Sequence, residues 1–117
     1  MPVYISRGRF TPDAIKGMLN KPENREQAVT KLFQSVGGKL IGWYLTFGHH
    51  DWMAIGEFPN EKAAASAILA AAAGGSLSDI ETTIAMTAKD AHLRIRREGG
   101  ERVPERRALL DSVRLSI

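Results

Sequence analysis

Between Gly38 and Phe58 two apolar runs face each other across a short polar link, and no other segment restricts the fold as much. Lys39 to Phe47 and Trp52 to Phe58 are the runs, and Gly48-His49-His50-Asp51 joins them with turn-forming residues, so the segment predicts a β-hairpin. That hairpin gathers both tryptophans, one of the two tyrosines and two of the three histidines into a small volume. Chemistry that needs a proton switch near neutral pH is therefore expected here, if anywhere in the chain.

The rest of the chain supplies partners for the hairpin. Val3 to Phe10 alternates as a strand, and Thr11-Pro12-Asp13 then predicts a helix start with Thr11 as N-cap and Pro12 at the first helical position. Ile15, Met18 and Leu19 follow with helical spacing until Lys21-Pro22 interrupts, because the residue before proline is pushed out of the α region. Asn24 and Gln27 form a capping-box-like restart, and the second half carries an apolar stripe of Ala28, Val29, Leu32, Phe33 and Val36. Gly37-Gly38 supplies a left-handed stop. Beyond the hairpin, Asn60 can cap an alanine-rich helix that runs to Ala73, presents a flat surface to a sheet and ends at Gly74-Gly75. Ser78 to Met86 then alternates, with Ile80, Ile84 and Met86 on one face, as a fourth strand. Strand, helix, strand, strand, helix, strand is the split βαβ or ferredoxin-like order, so the expected class is α+β: a βαββαβ sandwich with two helices on one face of an antiparallel sheet.

Residues 1–87 are expected to form that domain and residues 88–117 a charged helical extension. Thr87-Ala88-Lys89-Asp90 begins a helix through about Arg97, Gly99-Gly100 breaks it, and a second helix from about Pro104 would place Leu109, Leu110, Val113 and Ile117 near one side. The net charge of +3 hints at nucleic acid, but its distribution argues otherwise. Residues 1–87 hold eight basic and eight acidic side chains, so the whole excess lies in the tail, which has arginines from Arg94 to Arg107 without aromatic residues among them. That is a solvated linker rather than a nucleic-acid footprint. The chain has no cysteine, which excludes disulfides and thiolate catalysis. Met1-Pro2-Val3-Tyr4 does not read as a secretory signal, and the apolar run from Ala63 to Ala73 is far shorter than the roughly 20 residues that cross a bilayer, so a cytoplasmic protein is expected.

The central strands carry an inference about assembly. A lone ferredoxin-like unit covers only one sheet face, yet the hairpin is apolar on both. Ile41, Trp43, Leu45 and Phe47 share one parity against Leu40 and Tyr44; in the next strand Met53 and Ile55 oppose Trp52, Ala54 and Phe58. A second copy closing sheet to sheet about a two-fold axis would cover the bare face. The tail folding back over it is the alternative.

The run Gly37-Gly38-Lys39-Leu40-Ile41-Gly42-Trp43-Tyr44-Leu45-Thr46-Phe47-Gly48-His49-His50-Asp51, then an apolar strand and Glu57-Phe58-Pro59, resembles the GYD-domain family, as does Thr11-Pro12 after the first strand. These are small, functionally uncharacterised bacterial proteins grouped with the dimeric α+β barrels, and the likeness covers about residues 3 to 87. It implies the ferredoxin-like fold and a homodimer or higher homo-oligomer that closes as a dimeric α+β barrel. Gly48 and Asp51 stand where the family's name-giving motif has its glycine and aspartate, whereas His50 occupies the tyrosine position. Cofactor-free monooxygenases, haem enzymes and small-ligand sensors occur among the neighbouring barrels, by analogy of fold alone.

Gly48 and Asp51 have a structural reading, the glycine taking a positive φ and the carboxylate closing the turn on backbone N–H groups. The catalytic candidates are nonetheless His49, His50 and Asp51: a carboxylate that orients an imidazole leaves its other nitrogen free to take a proton or a ligand. Adjacent histidines on an extended chain point to opposite sides and His92 is distant in sequence, so no metal site is expected, nor any cofactor. Trp43, Tyr44 and Trp52 can line an aromatic pocket or simply form core. Arg7 and Arg9 on the first strand and Asp79, Glu81 and Thr83 on the fourth can pair across neighbouring strands, either as a buried polar network or as a solvated edge. The expected function is small-ligand binding or sensing as a homodimer. The alternatives are a cofactor-independent monooxygenase or isomerase with a hairpin histidine as base, and a structural or regulatory interaction module. Phosphate-binding glycine loops and a Gly-x-Ser-x-Gly elbow are absent from the sequence, which argues against nucleotide hydrolysis and α/β-hydrolase chemistry.

Overall fold

Thr11, Asn24 and Asn60 each accept a backbone hydrogen bond at a helix start, from the amides of Ala14, Gln27 and Ala63, and those three caps set the punctuation of the chain. The computed structural model describes residues 1–99. In order they form β1 (Val3–Phe10), α1 (Pro12–Asn20), α2 (Arg25–Ser35), β2 (Lys39–Leu45), β3 (Trp52–Glu57), α3 (Glu61–Ala73), β4 (Leu77–Ala85) and α4 (Ala88–Gly99). Gly37 and Gly75 take φ of +80° and +77° just beyond α2 and α3, the left-handed stops that a side chain would resist. The first tail helix is present as α4, capped by the Thr87 hydroxyl on the Asp90 amide; the second, with Leu109, Leu110, Val113 and Ile117, lies outside the described residues.

The strands form one sheet in the order β2-β3-β1-β4, and every neighbouring pair is antiparallel. The result is a small α+β domain compatible with the expected ferredoxin-like arrangement. Tyr4 and Phe10 of β1, Trp52 and Ala54 of β3, and Phe58 point to the side that the helices cover. Phe58, 1% exposed, packs between Tyr4 and Phe33 with ring centroids 5.6 and 4.7 Å away, in edge and tilted geometries that aromatic pairs favour. Ala64 and Ala67 of α3 are fully enclosed because an alanine face lets a helix approach a sheet closely.

One parity differs from expectation. Leu40 lies opposite Gly56 and Trp43 opposite Ala54, so a bulge between Leu40 and Gly42 brings Leu40, Trp43 and Leu45 to the helix side together. Leu40 therefore shares the face of Trp43 rather than that of Tyr44. Tyr44, opposite Met53, is the large β2 side chain of the other face. Among the described residues that other face is only half-covered: Val3 and Ile5 of β1 and Met53 and Ile55 of β3 shield one another only partly, and Tyr44 is 54% exposed. A second irregularity falls between Arg7 and Arg9 on β1, where Asp79 of β4 takes φ of +50°. The fourth strand is not the uninterrupted alternation expected, although Ile80 and Ile84 do pack on the core side.

Candidate functional site

Between the helix-facing side of the sheet and helices α2 and α3 lies an apolar cavity of about 200 Å³. Both tryptophans line it: Trp43 from β2 and Trp52 from β3, with Phe10 from β1 and Phe33 from α2. Trp52 is 4% exposed and held in place by its indole N–H, which donates to the Arg9 carbonyl at 3.3 Å. Its ring crosses β1 over Gly8, where a Cβ would stand 2.8 Å from Trp52 Cζ2 and 2.9 Å from the Ser78 carbonyl oxygen. Only glycine leaves that space, which explains a glycine inside a strand.

Three polar residues, Ser6, Arg25 and Ser76, interrupt the apolar wall. Ser6 is buried, and its hydroxyl shares a 2.9 Å hydrogen bond with the Thr82 hydroxyl of the neighbouring strand. Arg25, in the first turn of α2, lies with its guanidinium carbon 5.4 Å from the centre of the Phe10 ring, within cation–π range. Its Nε–H is buried and has no hydrogen-bond partner among the described residues. A planar cation with an unused donor thus stands beside an aromatic cavity. The sequence contained a weak signal for Ser6, a small polar residue on the buried parity of an otherwise apolar strand. It contained none for Arg25, which reads as an ordinary first-turn residue.

The hairpin histidines lie elsewhere. Neither lines the cavity. His50 Nε2 is 3.5 Å from Glu81 Oε2, and Arg7 Nε is 3.7 Å from the same oxygen, so the three side chains form a polar cluster at the hairpin end of the uncovered sheet face. The expected cross-strand meeting of Arg7 with Glu81 follows from their direct register. Arg9, opposite Ser78, is exposed. His49 stacks edge-on against His50 with centroids 4.8 Å apart. The carboxylate beside His50 is that of Glu81, whereas Asp51 is engaged with the backbone: its Oδ2 accepts from the Phe10 amide at 2.9 Å. The turn itself is closed by the Thr46 hydroxyl donating to the His50 carbonyl at 2.6 Å and by the Thr46 amide donating to the Asp51 carbonyl at 2.8 Å. Of the aromatic trio, Trp43 and Trp52 meet in the cavity and Tyr44 lies on the opposite face, folded back over Gly42. Among the described residues, no three His, Asp or Glu side chains converge as metal ligands, and no helix is long and apolar enough to cross a membrane.

A four-stranded antiparallel sheet, helices on one face, an aromatic pocket between them and, among the described residues, a half-exposed apolar face behind define a small α+β domain of the kind that the hairpin residues anticipate. The chain belongs to the GYD-domain family, whose model matches residues 4–93. Among curated proteins none matches it.

Proposed function

We propose that the protein is a homodimeric binder or sensor of a small apolar ligand, its two ferredoxin-like sheets closing face to face as a dimeric α+β barrel and each subunit holding the ligand between sheet and helices. The observation that carries the binding reading is the cavity itself, large enough for an aromatic ring and walled by Trp43 and Trp52. An engineered cavity of about 150 Å³ suffices for benzene. Membership of the family and the half-covered apolar residues Val3, Ile5, Met53 and Ile55 support the dimer, since burial of such a patch is favourable in proportion to the apolar area removed from water. The histidine-base reading finds less support, because the cavity has no imidazole in its wall. In the barrel, Arg7, His50 and Glu81 fall at the seam as a polar cluster that fixes orientation between copies.

Light scattering on the eluted protein tests the assembly, with twice the chain mass of 12.8 kDa expected. Titration with toluene tests the cavity. Trp43 and Trp52 are the only tryptophans, so a saturable change in their fluorescence is the expected result. A response that is merely linear in toluene, equal to that of free tryptophan, would overturn the binding reading.

A further inference from the structure

The geometry points to an aromatic or similarly compact monocarboxylic acid as the ligand of this cavity, with Arg25 taking the carboxylate. The inference rests on the binding reading above and adds the chemistry that chooses the ligand.

The walls decide most of the ligand. Phe10, Phe33, Trp43 and Trp52 offer ring faces and edges, so the body of the ligand is apolar and flat. A volume of about 200 Å³ leaves room for a ring and a short substituent. Arg25 decides the rest. The ion pair formed among the described residues is Arg7 with Glu81, whose carboxylate His50 also approaches, so no carboxylate in that set neutralises Arg25. Asp13 and Glu23 line the groove on the outer side of Arg25 together with Lys21, and neither comes within ion-pair distance. The guanidinium carbon lies over the Phe10 ring, and its buried Nε–H lacks an acceptor among the described residues. A carboxylate matches the guanidinium fork with two parallel N–H···O bonds and supplies that acceptor. A neutral aromatic would leave the donor unused. A phosphate monoester would bring a second negative charge against phenylalanine and tryptophan with no second cation in the wall to meet it. Ser6 adds one donor at the sheet: two hydroxyls that share one hydrogen bond retain one proton between them, and Ser6 borders the cavity. That proton suits a ring substituent or the second carboxylate oxygen.

Phenylacetate, its neutral isostere phenylacetamide, and toluene are the probes, titrated into the full chain by tryptophan fluorescence and by calorimetry at low and high salt. The expected result is that phenylacetate binds about tenfold or more tighter than phenylacetamide, a margin that shrinks with salt, as a charge-assisted bidentate contact requires. Arg25→Met, which keeps an aliphatic stem over Phe10, is expected to bring phenylacetate down to the affinity of phenylacetamide. Equal binding of phenylacetate and phenylacetamide by the wild type, with toluene still bound, would overturn the carboxylate assignment and leave the cavity reading standing. A preference that survives in Arg25→Met would overturn the assignment as well. Failure of all three probes to bind the wild type would remove the binding reading and the inference together. Should Arg25→Met not fold, the wild-type comparison of acid and amide decides alone.

Discussion

Asp51 Oδ2 accepts a hydrogen bond from the Phe10 amide at 2.9 Å, tying the hairpin to the end of β1 where the ladder between β1 and β3 has already stopped at Gly8 and Trp52. The Asp51 amide in turn donates to the Gly8 carbonyl at 2.7 Å, so one residue continues the pairing with its backbone and then with its side chain. Asp51→Ala leaves the partly buried Phe10 amide without its acceptor and is expected to cost about 1–3 kcal/mol. Asp51→Asn retains an acceptor oxygen and should lose less. Urea denaturation of the three proteins measures this, and an unchanged midpoint for Asp51→Ala would show that the carboxylate is free for other work.

Gly8 and Trp52 test how tightly the cavity wall is built. A methyl group at position 8 would meet the indole at 2.8 Å and the rigid Ser78 carbonyl oxygen at 2.9 Å, so neither neighbour can yield without moving a strand. Gly8→Ala is expected to destabilise by about 1–3 kcal/mol, the usual cost of overpacking, and to shift tryptophan emission as the ring is displaced. Thermal melting with fluorescence readout would contradict the packing described if the variant melted and emitted like the wild type.

Tyr4 carries a buried hydroxyl without a hydrogen-bond partner among the described residues. Burial first, and the negative charge of Glu61 second, push its pKa above the ordinary tyrosine value. The folded protein therefore keeps a proton that the unfolded chain releases from about pH 10 upward, and the stability gained from a neutral Tyr4 is complete below that pH and lost as the pH rises through the folded value. Tyr4→Phe should flatten that alkaline decline. At neutral pH it should be neutral or stabilising by roughly 1 kcal/mol, because it removes an unpaired polar atom. Unfolding free energies of both proteins from about pH 8 to pH 11 give the difference curve, and parallel curves would contradict the assignment.

Local signals in the sequence were sufficient for the element order, because each helix start has a short-range cap and each strand an apolar run or an alternation. Thr11, Asn24 and Asn60 bond amides three residues ahead, a distance that sequence spacing reports directly. What escaped was set by partners far along the chain. Gly42, a glycine inside a strand, is the one local hint of the bulge that moves Leu40 to the side of Trp43, since an inserted residue leaves the hydrophobic pattern intact on a strand that is apolar on both faces. Asp51 was legible as a turn-former but not as the clamp on Phe10, 41 residues away. Arg25 acquires its interest only from packing over Phe10, which no helix pattern reveals. The histidine pair was legible as a cluster; its separation from the cavity depended on which parity faces the helices.

The uncovered sheet face yields the prediction on which the proposed assembly turns. Ile55 sits opposite Ile5 near the middle of that face, with Met53 beside it, and these side chains are only partly shielded within one subunit. In a sheet-to-sheet dimer they become the apolar centre of the interface, where a carboxylate would be desolvated without a partner. Ile55→Asp is therefore expected to halve the mass measured by light scattering while circular dichroism stays native, since the same change costs a single subunit little on a solvated face. Leu69→Asp is the control: Leu69 is 69% exposed on α3, away from the sheet, and its replacement should leave the mass unchanged. Were the tail to cover the face instead, Ile55→Asp would lower stability at constant mass. A dimer that survives Ile55→Asp but dissociates with Leu69→Asp would place the contact on the helices and end the barrel reading.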